Sequence, residues 1–284
     1  MRSWLPTQAS TDFSLRVTLD RRRLAALLAP LAAVGDTATL RVTPDELAVR
    51  AADDARVRAV TTRLDADACH QYAVTPGQLT FDPTTLRAAL TADAATSAET
   101  EPITLAYASD DATLSLSLPT LTHEQPVDPT RQSQTAQVTE WPDGATLHHR
   151  AETLAAVCAY FAAIAEVIAV EYDEPQDVFR IKSVPDQPTD DTPRATGTYE
   201  RSGADLPGET AAATVRVAFD SALLRDVVAT APGDARVRLD IADAHPLRLG
   251  WKSTSPDRDN GTPVEVTALL APRELPTRDE GEVE

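Results

Sequence analysis

The sequence predicts an α+β protein built from two copies of one unit, each with two helices on one face of an antiparallel sheet. Short strands with period-two alternation recur along the chain, as where Phe13, Leu15, Val17 and Leu19 alternate with Ser14, Arg16 and Thr18. A four-residue pattern also returns. Phe81-Asp82 followed by Leu86-Arg87 reappears as Phe219-Asp220 followed by Leu224-Arg225, 138 residues later (219 − 81). The order of elements around both copies matches as well, which makes this an architectural repeat.

In chain order, residues 1–12 read as a loose N-terminal arm. Asp20 is placed to N-cap a helix from Arg21 to about Val34, which Pro30 should bend or shorten. Strands follow at 37–43 and 47–52, joined by the turn Pro44-Asp45-Glu46, and at 57–64. The strand 77–81 leads into Asp82-Pro83, an N-cap with proline at the first helical position, and a helix to about Ala92. A hairpin over 103–108 and 112–118 closes the first unit. Pro119, Pro126 and Pro129 with polar filler mark 119–137 as a connector without periodicity. The second unit, 138–275, starts with a helix from Arg150 to about Ile164. The apolar run Leu154–Val170, interrupted by Glu166, is this helix running into a strand. Strands at 168–172, 178–183, 195–201 and 214–219 follow, then a strand, an acidic turn and a strand over 236–251. Residues 185–194 read as an acidic loop and 276–284 as an acidic tail.

Composition narrows the function. The 284 residues carry 44 acidic and 26 basic side chains, for a net charge of −18. Only Lys182 and Lys252 are lysines; the other basic residues are arginines. Many carboxylates with almost no lysine read as adaptation to a salty cytoplasm, since carboxylates keep a surface hydrated when salt screens other interactions. This balance argues against generic affinity for nucleic acid, which needs a basic face. If the protein handles DNA, topology must replace attraction. Cys69 and Cys158 stand far apart, so no disulfide framework is expected. The start of the chain lacks the apolar core of a signal peptide. Cys69-His70 and His148-His149 match no metal-ligand spacing, and there is no phosphate loop or nucleophile elbow. The expectation is a non-catalytic protein without a cofactor.

Several segments resemble the DNA sliding clamp, the proliferating-cell-nuclear-antigen family, in a divergent haloarchaeal-type form. They are Ala51-Ala52-Asp53 followed by Val57; the connector Glu124-Gln125-Pro126-Val127-Asp128-Pro129; His245-Pro246-Leu247; and Leu270-Ala271-Pro272-Arg273. The resemblance spans about residues 13 to 275. It implies the clamp fold: two clamp domains per chain, three chains closing a pseudo-sixfold homotrimeric ring, helices lining the hole and sheets forming the wall. It implies that duplex DNA is encircled and that polymerase, clamp loader and other clamp-binding proteins are tethered, in the cytoplasm at the nucleoid. The DNA-facing candidates are Arg21, Arg22, Arg23, Arg87, Arg150 and Arg225. The partner groove would use Ala52, Val57, Ala59, Pro126, Val127, Pro246, Leu269, Ala271 and Pro272. The subunit interface would pair Ala112, Leu114, Leu116 and Leu118 of one chain with Thr196, Thr198 and Tyr199 of the next, which removes two open edges.

Some positions depart from the family. The segment Leu154-Ala155-Ala156-Val157-Cys158-Ala159-Tyr160 has no basic residue where family helices present several. Ala52 and Ala59 replace larger apolar residues, and Glu274 replaces an aliphatic one. A second reading therefore stays open: a clamp-like relative that does not hold DNA and mixes with, or competes against, another clamp's ring.

Salt dependence tests the compositional reading. At a net charge of −18, self-repulsion should loosen the fold when the Debye length grows to about 30 Å in dilute salt. Melting followed by circular dichroism should rise steeply from dilute to molar salt. A flat profile removes the halophilic reading.

Overall fold

The computed structural model describes residues 13–94, 101–109, 112–128, 142, 144–184, 195–202, 214–253 and 263–274. The expected N-terminal arm, acidic loop, acidic tail and residues 129–137 of the connector lie outside them. The described residues form seventeen strands and four α-helices. They are β1 Ser14–Asp20, α1 Arg21–Ala32, β2 Ala38–Val42, β3 Glu46–Ala52, β4 Arg58–Asp65, β5 Gln71–Val74, β6 Gly77–Phe81, α2 Pro83–Ala94, β7 Pro102–Ala108, β8 Thr113–Ser117 and β9 Thr122–Pro126. Then come β10 Ala145–Arg150, α3 Ala151–Ile164, β11 Val167–Asp173, β12 Val178–Val184, β13 Thr198–Ser202, β14 Val215–Asp220, α4 Ser221–Val228, β15 Arg236–Ile241, β16 Leu247–Ser253 and β17 Val264–Leu270. The fold is α+β with antiparallel sheets, as the sequence predicts.

Leaving β5 aside, this order is one strand, one helix and three strands, given four times. Each leading strand pairs with the first of another quarter's three strands: β1 with β7, β6 with β2, β10 with β15, and β14 with β11. By contact density the chain forms two compact units. One is Met1–Trp141 with Thr230–Ala235 and Gly250–Ala268; the other is Pro142–Ala229 with Arg236–Leu249 and Leu269–Glu284.

In the first unit, one sheet runs β5-β1-β7-β8-β9 and β6-β2-β3-β4 follow one another in a second. Leu15, Val17 and Leu19 of β1 face inward, as their alternation requires. Leu24, Leu27, Leu28 and Leu31 form the buried stripe of α1, which packs on α2 with its buried Leu86, Ala89 and Leu90. Each such leucine contributes about 1.5–3 kcal/mol by leaving water. In the second unit, β13-β12-β11-β14 form a sheet and β10-β15-β16 are neighbours in another. Leu154, Cys158 and Phe161 of α3 are buried, and α3 packs on α4, which buries Leu224, Val227 and Val228.

The two repeated Phe-Asp motifs fold alike. Asp82 Oδ1 accepts the Thr84 N–H at 2.7 Å, and Asp220 Oδ1 accepts the Ala222 and Leu223 N–H groups at 3.0 Å. Each aspartate caps its helix. Asp20 holds the equivalent position before α1 but makes no side-chain cap. Its carboxylate turns to His70 Nε2, 2.7 Å away. Pro30 sits in the last turn of α1, which ends at Ala32 rather than Val34.

The connector expectation is corrected at its start. Residues 122–126 form strand β9, paired with β8 from Thr113↔Pro126 to Ser117↔Thr122. Its polar residues hide the strand signal, and only Gln125 among them is buried, where Oε1 accepts the Thr85 hydroxyl at 2.7 Å. The sequence reading also leaves β5, β10 and β17 unassigned.

One buried histidine links fold to pH. His149 lies 5.1 Å from the Phe179 ring and 6.2 Å from Tyr199, centroid to centroid. Burial, aided by the Arg201 charge, pushes its pKa from 6.5 down to about 4. The unfolded chain takes up that proton below pH 6.5; the folded chain does not until about pH 4. Stability is thus full above this window and falls as pH drops through it, by up to about 1.4 kcal/mol per unit. His149→Leu should flatten this part of the unfolding free energy against pH. Parallel curves for variant and wild type would show that another group governs the window.

Candidate functional site

The six arginines proposed for a DNA-facing surface fall into three groups. Arg21 is buried and ion-paired with Asp93, itself fully buried. Asp93 also accepts the Thr120 N–H at 3.1 Å, so one carboxylate joins the start of α1, the end of α2 and the turn before β9. Arg23 is buried too and donates to the Ala68 carbonyl. These two assignments are corrected: a guanidinium spent on a core contact cannot meet DNA. Arg225 is half-exposed and bound to its neighbour Asp226 at 2.7 Å. Arg150 is exposed and 4.0 Å from Glu152. Arg22 and Arg87 are exposed on α1 and α2. The other exposed positions of the four helices are Thr85, Ala88, Thr91, Ala92, Ala94, Glu152, Ala156, Ala159, Tyr160 and Ala163. The helix surfaces are lined mainly by alanine.

The proposed interface strand is also corrected. Leu114, Leu116 and Leu118 are buried in their own unit, and β8 is hydrogen-bonded on both sides, to β7 and β9. Ala112 is exposed in the turn before β8 with a left-handed φ of 46°. The end strands of this sheet are β5 and β9. In the second unit β13 is the end strand, with Thr198 exposed and Thr196 exposed just before it. Tyr199 faces inward against His149.

The groove candidates lie in both units. In the first, Ala52 and Ala59 are cross-strand partners on β3 and β4. Between them a tight loop presents exposed Val57. Asp53 builds it: Oδ1 accepts the N–H groups of Val57 at 2.9 Å and Arg58 at 3.0 Å, and Oδ2 accepts from Arg58 Nε at 3.3 Å. The Arg58 guanidinium also donates to the Ala33 carbonyl at 3.1 Å. Pro126 is exposed, and half-exposed Val127 donates its N–H to the Ala112 carbonyl at 2.9 Å. In the second unit Pro246, Leu269, Ala271 and Pro272 are half-exposed. The backbone N–H of Arg273 donates to the Ala218 carbonyl at 2.8 Å, and its side chain reaches Asp220 at 2.8 Å and Glu166 at 3.2 Å.

An equivalence escaped the sequence reading. Thr80 bridges to Asp128, and Ala218 bridges to Arg273. Thr80 and Ala218 are 138 residues apart (218 − 80), the repeat offset. Pro126-Val127-Asp128 and Ala271-Pro272-Arg273 are thus the same position in the two repeats: the chain leaves a last strand and covers the edge of a leading one. The exits themselves stand 145 residues apart (273 − 128), so the constant offset of the Phe-Asp motifs does not reveal the match.

Catalytic constellations do not assemble. Burial pushes the Cys69 thiol up to about 11 and Cys158 to about 12, so neither is poised as a thiolate. Among the described residues no group of His, Cys, Asp or Glu could hold a metal ion, and no helix is long and apolar enough to cross a membrane.

Asp53 offers a direct test of the loop. Asp53→Ala removes charge-assisted bonds to two backbone N–H groups and should cost about 1.5–3 kcal/mol in urea unfolding. Amide exchange at Val57 and Arg58 should rise with it. Unchanged exchange there would show that the loop holds its shape without the carboxylate.

No protein-family profile matches the sequence, and no curated protein matches it. Solved structures do. A. fulgidus PCNA, with the C-terminal region of FEN-1 bound, matches with TM-score 0.75 at 17% identity, over 92% of this chain and 98% of that one. PCNA from Thermococcus kodakaraensis matches with TM-score 0.74 at 18% identity, over 91% and 100%. The proliferating cellular nuclear antigen of Entamoeba histolytica matches with TM-score 0.72 at 15% identity, over 92% and 99%. Across nearly its whole length, the chain has the fold of the PCNA clamp.

Proposed function

We propose that this chain is a sliding clamp, a non-catalytic ring that encircles duplex DNA and tethers replication and repair proteins. The observation that carries the reading is the full-length likeness to clamps from three organisms. In this reading the first domain runs from residue 13 through β9, the second spans 138–275, the chain after β9 joins them, and three chains close a ring. The end strands β9 and β13 are the edges free to pair between subunits, because a sheet edge left open invites another chain. In the first unit the partner-binding candidates are Val57, Pro126 and Val127, with Asp53 as the positioning residue of the loop; in the second they are Pro246, Leu269, Ala271 and Pro272, where Arg273 holds the chain after β17. The FEN-1 segment bound to the A. fulgidus protein supports a peptide-binding role. Peptide anchors would be aromatic and aliphatic, seated in apolar pockets.

DNA is held by enclosure. With Arg21 and Arg23 buried and Arg225 bound to Asp226, few phosphates are neutralised, and the salt slope of binding scales with their number. Neutral helix faces suit a ring that must slide.

The test is loading. In molar salt the assembly should weigh three times the 30.4 kDa chain. With its loader it should stay on a nicked circle and run off once the circle is cut. Arg22→Ala with Arg87→Ala should leave assembly intact and shorten residence several-fold at most. A ring that forms but never remains on circular DNA would transfer the reading to one that mixes with another clamp.

A further inference from the structure

The solvent face of β10–β15–β16 gathers cations to a degree that sets it apart in an acidic chain. On β10, His148 and Arg150 alternate with buried Leu147 and His149; on β15, exposed Arg236 and Arg238 flank buried Val237. The antiparallel register puts Arg150 opposite Arg236 and His148 opposite Arg238. Like charges directly opposite one another destabilise a ladder. Arg248 joins the same cluster from β16 through its 2.6 Å bond to Asp240.

Among the described residues, Arg150 and Arg238 each meet one carboxylate. Asp240 is 2% exposed. It accepts from Arg238 at 2.8 Å, from Arg248 at 2.6 Å and from the Thr146 hydroxyl at 2.6 Å. Glu152 lies 4.0 Å from Arg150 at the rim. The outer face of β14–β11–β12 differs: Arg180 meets Asp173 and Glu200, and Lys182 and Arg216 both meet Glu171.

We propose that this sheet face binds a phosphodiester backbone, that of a nucleic-acid strand lying across β10 and β15. Guanidinium forks match phosphate oxygens bidentately, which lysine does not. Along β15 the two exposed arginines repeat every second residue, about 6.8 Å apart, and β10 supplies a second row beside them. Asp240 holds Arg238 and Arg248 in place, so little side-chain freedom remains to be lost. A chain with an anion at every unit fits such rows better than the scattered carboxylates of a folded acidic protein. The inference stands apart from the clamp reading, since no ring and no helix face enters it.

The test is fluorescence anisotropy of a labelled single-stranded oligonucleotide against the full chain, over a salt series in which it stays folded. Arg150→Ala with Arg236→Ala should weaken binding at least tenfold. It should also lower the slope of log K against log salt by about 1.4, two phosphates' worth. Arg16→Ala with Arg216→Ala removes the same charge from exposed strand positions elsewhere and should change neither. Equal loss in both double variants would show that net charge, not this face, governs binding. Absence of wild-type binding at the lowest salt, or displacement of the oligonucleotide by polyglutamate at equal charge concentration, would overturn the proposal.

Discussion

Each sheet begins with a strand from a different quarter of the chain, and the rest of the structure depends on that exchange. β1 starts the ladder of β7, β8 and β9, while β6 starts that of β2, β3 and β4; β10 and β14 do the same for β15 and β11. A quarter alone would leave its three-stranded ladder short and its leading strand unpaired, or, for β1, paired with the short β5 alone. The exchange also sets where helices begin. β1, β6, β10 and β14 each run directly into a helix, and in two of these an aspartate at the junction caps the first turn.

Charge is distributed around that frame with an asymmetry. Carboxylates outnumber bases by 18, yet several arginines are withdrawn into structural work. Arg21 secures Asp93, Arg23 holds the Ala68 carbonyl, Arg58 braces the Val57 loop and Arg273 pins the chain after β17. Breaking one such buried pair by removing a single partner leaves an uncompensated charge, which typically costs about 3–5 kcal/mol. The withdrawal leaves the exposed surface more acidic than composition alone implies. It also makes the outward arginines of β10 and β15 conspicuous.

The sequence displayed the strands whose alternation is apolar against polar, such as β1, β7 and β8, and the capped starts of α2 and α4. It hid β9, because an end strand with one buried residue, Gln125, needs no apolar period. That single concealed strand moved the inferred edge from β9 to β8. The buried arginines were equally illegible. Arg21-Arg22-Arg23 is a run of three identical residues; positions 21 and 23 lie about 200° apart around a helix, so periodicity does not single out Arg22, and the burial of its neighbours rests on Asp93 and the Ala68 carbonyl. The groove loop was visible as Asp53 and Val57, but the two N–H groups that Asp53 satisfies depend on backbone geometry that spacing does not reveal.

The alanines on the helix surfaces then acquire a physical meaning. A cation placed there would gain little in concentrated salt, where the Debye length shrinks to about 3 Å at 1 M, and would still lose side-chain freedom on meeting a phosphate. Alanine keeps high helix propensity with no such loss. A surface of this kind neither attracts nor obstructs a duplex, so residence would be fixed by closure of the ring and not by contact. In the proposed reading contact lies elsewhere: at the apolar loop carrying Val57, at the strand exits Pro126-Val127 and Ala271-Pro272, and at the outward arginines of β10 and β15. The repeat places the two exits at equivalent positions, each covering a leading strand's edge.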